Sequence, residues 1–271
     1  MKFQIDHDLH IHSYLSTCSS DPGETPDAIL RYGEQNGMTT LCLTDHFWDC
    51  SVHSAGGWYR PQDFTHISLA KPLPQGKRTR FYFGCETELH QNLELACPPE
   101  RFDDFDFIII PTTHLGSVGL TITEEDHNDL DRNARVWVER LENILDRDDL
   151  PFSKIGIAHL ACPLINKEHF LEVLDRLQED DLERLFAKAA TRGCGIELNA
   201  GDFLISDADA DRVARIFRVA KSKGCKFYLG SDAHHPADLE RAPALFARAI
   251  DLLDLTEDDK FHPALPTYPT R

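Results

Sequence analysis

Histidines and carboxylates recur in this chain at positions suited to holding divalent cations. In the segment IDHDLHIHS, His10 and His12 stand two apart. Strand alternation puts Asp6, Asp8, His10 and His12 on one face and Ile5, Leu9 and Ile11 on the other. Two imidazoles pointing the same way can share an ion, although the pair alone reads equally well as packing. Further along, LCLTDHF brings Asp45 and His46, RFYFGCETEL brings Glu86 and Glu88, and FIIIPTTH ends in His114. IGIAH ends in His159, GIELN carries Glu197 and Asn199, and FYLGSDAH carries Asp232 and His234. Singly, each of these is a cap, a satisfied core polar group or a solvated side chain. Jointly they have no such account, because polar ends gathered about one axis without a cation would leave buried charges unpaired. The chemistry this implies is metal-assisted hydrolysis, in which bound cations lower the pKa of water from 15.7 to about 7 and neutralise charge that develops on the substrate.

The donors sit at the ends of seven apolar runs that read as strands: 5–12, 39–45, 80–89, 105–112, 154–159, 195–199 and 226–231. Amphipathic stretches at 25–36, 124–145, 182–191, 207–222 and 236–253 read as helices between them, with Pro26 suited to a first turn. Strands alternating with helices imply parallel pairing. Seven units without Rossmann-type glycines point to a distorted, closed or nearly closed β/α barrel with its site at the C-terminal strand ends; an open sheet is the alternative. No linker divides the chain, so residues 1–271 read as one domain. The stretch 47–76, with GGWYRPQDF and PLPQGK, reads as an elaborated rim loop over the mouth and the seat of selectivity. The proline-rich tail FHPALPTYPTR reads as an extended surface segment without chemistry. His7, His53, His66, His90, His127, His169, His235 and His262 fall mostly in loops or helices.

Bulk properties narrow the choices. No run approaches the roughly 18 apolar residues of a membrane span, and MKFQIDHDLHIHS lacks the apolar core of a signal peptide, so a cytoplasmic location is expected. Eight cysteines without a CxxC pair read mostly as reduced core residues. With 46 acidic against 28 basic residues, the net charge of -18 opposes nucleic-acid binding. An anionic small substrate is compatible only where metals meet it. Oligomeric state is not legible.

The motifs HIHS, TDH, GCE, TTH, IAH and GSDAH, in this order over residues 8 to about 235, resemble the PHP family, named for its polymerase and histidinol-phosphatase branches. The resemblance implies a distorted barrel of seven β/α units and three divalent ions, zinc, manganese or iron. Carried over residue by residue, His10, His12, Glu86 and Asp232 would hold the first ion, and Glu86 would bridge to a second held by His114 and His159. His46 and His234 would hold the third, with a donor from SYLSTCSSD, where Cys18 stands in the place of a histidine and Asp21 follows. A thiolate would favour zinc there and Asp21 a harder ion. The implied reaction is hydrolysis of a small-molecule phosphomonoester by a metal-bridging hydroxide. Asp232 or Asp8 would orient the water, and Asp45 would fix the tautomer of a liganding histidine. Arg60, Arg135, Lys77 and Arg78 are candidate phosphate clamps, and Glu197 and Asn199 would line the pocket or support it. Competing readings are a C–N hydrolase of the amidohydrolase type, which also uses HxH but generally a mid-chain bridging lysine or other carboxylate, a nuclease-like PHP phosphodiesterase, and a domain whose metals only stabilise the fold.

Overall fold

The computed structural model describes residues 1–19 and 21–267. In chain order the elements are β1 His7–Ile11, α1 Pro26–Gln35, β2 Thr40–Leu43, α2 Phe64–Ile67, β3 Arg80–Phe83, β4 Cys85–Glu86 and β5 Ile108–Pro111. They continue with α3 Glu124–Asn128, α4 Leu130–Asp146, β6 Ile155–Ala158, α5 Phe170–Arg176, α6 Glu179–Arg192, β7 Gly195–Asn199, α7 Ala210–Ser222, β8 Lys226–Gly230 and α8 Pro236–Leu253. The fold is α/β with parallel sheets, β1-β2-β3 and β4-β5-β6-β7-β8. The expected third strand is thus divided at Gly84, where the chain passes between sheets. Gly84 N donates to Leu43 O at 2.8 Å, and Cys85 N donates to Phe107 O at 3.1 Å. A side chain at 84 would press on Phe107 O and Cys42 Sγ, so the crossing requires glycine. At the other edges, Asp232 N donates to His10 O at 2.7 Å and His12 N to Ala233 O at 3.0 Å, which joins the end of β8 to that of β1.

Both faces of the strands are buried, which is why runs such as FIIIP read as continuously apolar. Ile108 and Ile110 face the helices, as do Ile155, Ile157, Phe227 and Leu229. Leu9, Cys42, Tyr82, Phe107, Ile109 and Tyr228 form a smaller cluster on the inner face, closed by Phe261. The tail therefore does more than lie on the surface: Phe261 N donates to Phe227 O at 2.7 Å, and the ring enters this cluster. The last four residues of that segment, 268–271, lie outside the described residues.

Local chemistry sets the helix ends. Thr25 caps α1, accepting from Ala28 N at 3.2 Å ahead of Pro26. The single helix expected over 124–145 is broken, because Asp129 turns to cap α4 and accepts from Asp131 N and Arg132 N. α5 was not expected. The rim loop is also only partly as read. Since Arg80 begins β3, Lys77 and Arg78 lie at the N-terminal strand ends beside the end of α1, where Lys77 N donates to Glu34 Oε1, and not at the mouth. Among the described residues no helix is long and apolar enough to cross a bilayer.

Candidate metal centre

The C-terminal strand ends bring His10, His12, His46, Glu86, His114, His159, Asp232 and His234 together, from residues up to 224 apart in sequence. Glu86 is the hub. Its Oε2 lies 2.9 Å from His46 Nδ1, 3.3 Å from His12 Nε2 and 3.6 Å from His10 Nε2. Its Oε1 lies 3.0 Å from His159 Nε2 and 3.6 Å from His114 Nε2. Asp232 Oδ1 stands 3.2 Å from His12 Nε2 and 3.4 Å from His10 Nε2. The rings of His12 and His234 stack at 4.1 Å. Among the described residues four groups of three donors lie close enough to share an ion: His10, His12 and Glu86; His10, His159 and Glu197; Glu86, His114 and His159; and His12, His46 and His234.

Four of the six histidines are aimed by a partner on the far nitrogen. His10 Nδ1 meets Glu197 Oε1 at 2.6 Å, and Glu197 Oε2 accepts from His159 N at 3.2 Å and from Asn199 Nδ2 at 3.1 Å. His12 Nδ1 donates to Ser16 Oγ at 2.8 Å, and Ser16 Oγ donates in turn to Asp45 Oδ1 at 2.7 Å. Ser13 fixes the same carboxylate through its N and its Oγ. His114 Nδ1 donates to Glu88 Oε2 at 2.9 Å, an oxygen that also accepts from Tyr59 Oη at 2.9 Å. His234 Nδ1 donates to Asp232 O at 2.8 Å. Such contacts fix the tautomer and leave the opposite nitrogen lone pair facing the centre.

The donors suit cations. His46 Nδ1, Glu86 Oε2 and His114 Nε2 are buried and have no hydrogen-bond partner among the described residues. Buried polar atoms are ordinarily paired, so two orphaned imidazole nitrogens facing a carboxylate that has an orphaned oxygen of its own call for a ligand with positive charge. Mixed imidazole and carboxylate donors suit zinc, manganese or iron. Burial would raise the Glu86 carboxyl, but His46, His10 and His12 around it hold it well below the usual range. Burial, with the neighbouring His12, pushes His234 down to about 3, which keeps its imidazole neutral. His159 and Asp232 both adopt left-handed backbone, φ 62° and 53°, a strain of about 1–3 kcal/mol each that places these side chains where they stand.

Several expected positions lie elsewhere. Asp8 is turned from the centre, because the β1 register shifts between Asp8 and Ile11 and both Leu9 and His10 face inward. Its carboxylate accepts from Tyr32 Oη and Ser231 N, so it does not orient a water at the centre. Asp21 pairs with His235 at 2.8 Å and accepts from Gly23 N. Cys18 is exposed, and neither residue joins a donor group among the described residues. Ser20, in the same loop, lies outside them. Arg135 lines a groove on the helical shell with Arg176 and Asp181, away from the strand ends. Arg60 is exposed, two residues past Trp58, whose ring meets His46 edge-on at 5.0 Å. Glu197 and Asn199 are occupied in supporting the histidines. Asn199 Oδ1 also accepts from Gly201 N at 2.8 Å.

Residues not singled out include Ser16, Glu88, Tyr59 and Arg140. Arg140 is 1% exposed and donates to Thr112 O and Leu89 O, beside Glu88. Its signal was a charge among the apolar positions Trp137, Leu141 and Ile144 of α4.

No family model matches the chain. A curated protein of Deinococcus radiodurans named "Probable histidinol-phosphatase" is 25% identical over 248 residues, covering 86% of this chain and 87% of that protein. This similarity agrees with the PHP-family resemblance of the motifs. A solved structure of the histidinol phosphate phosphatase of Lactococcus lactis subsp. lactis Il1403, complexed with zinc, L-histidinol and phosphate, has the same fold, with a TM-score of 0.57 at 16% identity. The match covers 90% of this chain and 93% of that one.

Proposed function

We propose that this protein is a metal-dependent phosphomonoesterase acting on a small-molecule phosphate ester in the cytoplasm, with histidinol phosphate, nucleotides and sugar phosphates as the candidate substrates. The relatives' names support the reaction class. The observation that carries it is the convergence of unpartnered, buried donor atoms on Glu86. We read the centre as trinuclear, on a distorted barrel of seven β/α units in which β3 and β4 count as one. His10, His12, Glu86 and Asp232 would hold one ion, Glu86, His114 and His159 a second, and His46 and His234 a third, beside His12. When bound, such ions supply an acidified water and positive charge for the phosphoryl oxygens.

The chain's own groups do the rest. Glu197, the Ser16–Asp45 relay, Glu88 and the Asp232 carbonyl keep four imidazoles in register, so the donors need no rearrangement during reaction. Asp232 is the donor carboxylate that faces solvent, 20% exposed against 1% for Glu86. It is therefore the group placed to orient an attacking water through Oδ2. With most of the donors buried, bulk water is kept from the centre. Among the described residues Glu86 and Asp232 pair with histidines and with no arginine, so recognition of the phosphoryl group would fall chiefly to the bound ions.

The test is to purify the protein without chelator, quantify zinc, manganese and iron, and assay phosphate release from histidinol phosphate, nucleoside monophosphates and a diester. Monoester turnover that disappears on chelation is the expected result. Turnover of the diester alone would replace this reading with a nuclease-like one.

A further inference from the structure

Near the metal centre lies a second cavity, of about 540 Å³, to which the hydrolytic reading gives no task. One wall is Gly116, two residues beyond His114. Two residues of chain span about 7 Å at most, so this wall stands close to a residue of the centre. Facing it, α3 supplies His127 and Asn128, and the segment after β6 supplies Asn166, Lys167 and His169. The two segments are tied: Gly116 N donates to Leu164 O at 2.7 Å, and Asn166 Nδ2 donates to His127 O at 3.4 Å.

The lining has binding capacity to spare. His127 Nδ1 is buried without a hydrogen-bond partner, and Lys167 forms no ion pair, among the described residues. Glu168 offsets the charge of Lys167 on the same wall, so donors and acceptors are mixed with little net charge. The cavity holds no arginine fork for a second phosphate or a carboxylate, and no Trp, Tyr or Phe ring for a nucleobase. Hydroxyl groups, which both donate and accept, match such a lining.

We propose that this cavity receives the leaving group of the phosphoester, and that this group is neutral and hydroxyl-rich, a polyol or a sugar. The inference rests on the phosphomonoesterase reading above. It is tested with the manganese- or zinc-loaded full chain by measuring kcat and KM for sorbitol 6-phosphate and for 4-nitrophenyl phosphate, whose leaving group has no hydroxyl chain. Lys167 and Asn128 are both exposed, so the double variant Lys167→Ala/Asn128→Ala is compatible with folding. The ratio of kcat/KM between the two esters should fall about tenfold, through KM for the polyol ester, as expected for the loss of one or two hydrogen bonds. The conservative Lys167→Arg/Asn128→Gln variant should recover most of it. An unchanged ratio overturns the leaving-group assignment while leaving the phosphatase intact. Absence of phosphate release from every ester, by the wild-type protein, overturns both.

Discussion

The inner face of the strands has two ends built on opposite principles. At the N-terminal end, Tyr82, Phe107, Tyr228 and Phe261 fill the space with rings. At the C-terminal end the same strands present imidazoles and carboxylates with lone pairs left unpaired. One end gains stability from burial; the other spends it, holding charges and left-handed residues in place. The strands join the two, so the rigid end fixes where the costly end sits.

The largest test of this division is at the hub. Glu86→Ala should abolish phosphate release and reduce bound metal, measured by elemental analysis, while the metal-free protein keeps its far-UV circular dichroism. Retention of full metal content would show that Glu86 is not shared between ions. Next, Phe261→Ala should destabilise the protein by about 3–5 kcal/mol in denaturant unfolding, yet leave the metal stoichiometry of the folded fraction as it was. Loss of metal at equal folding would mean that the two ends are not separable.

A smaller effect is expected one step out from the donors. Ser16→Ala removes the link between Asp45 and His12 and should weaken metal binding or activity by about 10–100-fold, read by competition with a chromogenic chelator. The smallest concerns Asp202, which burial pushes up to about 8 and whose oxygens have no hydrogen-bond partner among the described residues. Its folded-state pKa lies above the unfolded value near 3.9, so the folded protein holds the extra proton between roughly pH 4 and 8. Stability from this group therefore falls as pH rises through that window and is flat beyond it. Asp202→Asn should flatten that decline in the melting temperature of chelated protein; an identical slope would show that the carboxylate is solvated.

Much of the polar end was legible because its residues come last in apolar runs, as His114 does after FIIIPTT and His159 after IGIA. Alternation correctly separates Ile108 from Ile109 but fails at β1, where the shift between Asp8 and Ile11 sends Asp8 outward. A one-residue irregularity carries no mark in composition. Arg135 and Arg140 both lie on α4, yet one lines an outer groove and the other is buried against Glu88; only Arg140 shares the apolar face of Trp137, Leu141 and Ile144, a signal that helical spacing carries. The break at Asp129 and the division at Gly84 were missed because capping and a strand crossing override the local pattern. The loop donor expected from Cys18 or Asp21 shows the limit of residue-by-residue transfer, because Asp21 is taken by His235.

The aromatic plug led by Phe261 also has a kinetic consequence. With that end filled by packed rings, ester and inorganic phosphate both meet the centre from the side of the C-terminal strand ends. Turnover should thus be throttled by its own product, with phosphate competing for the site.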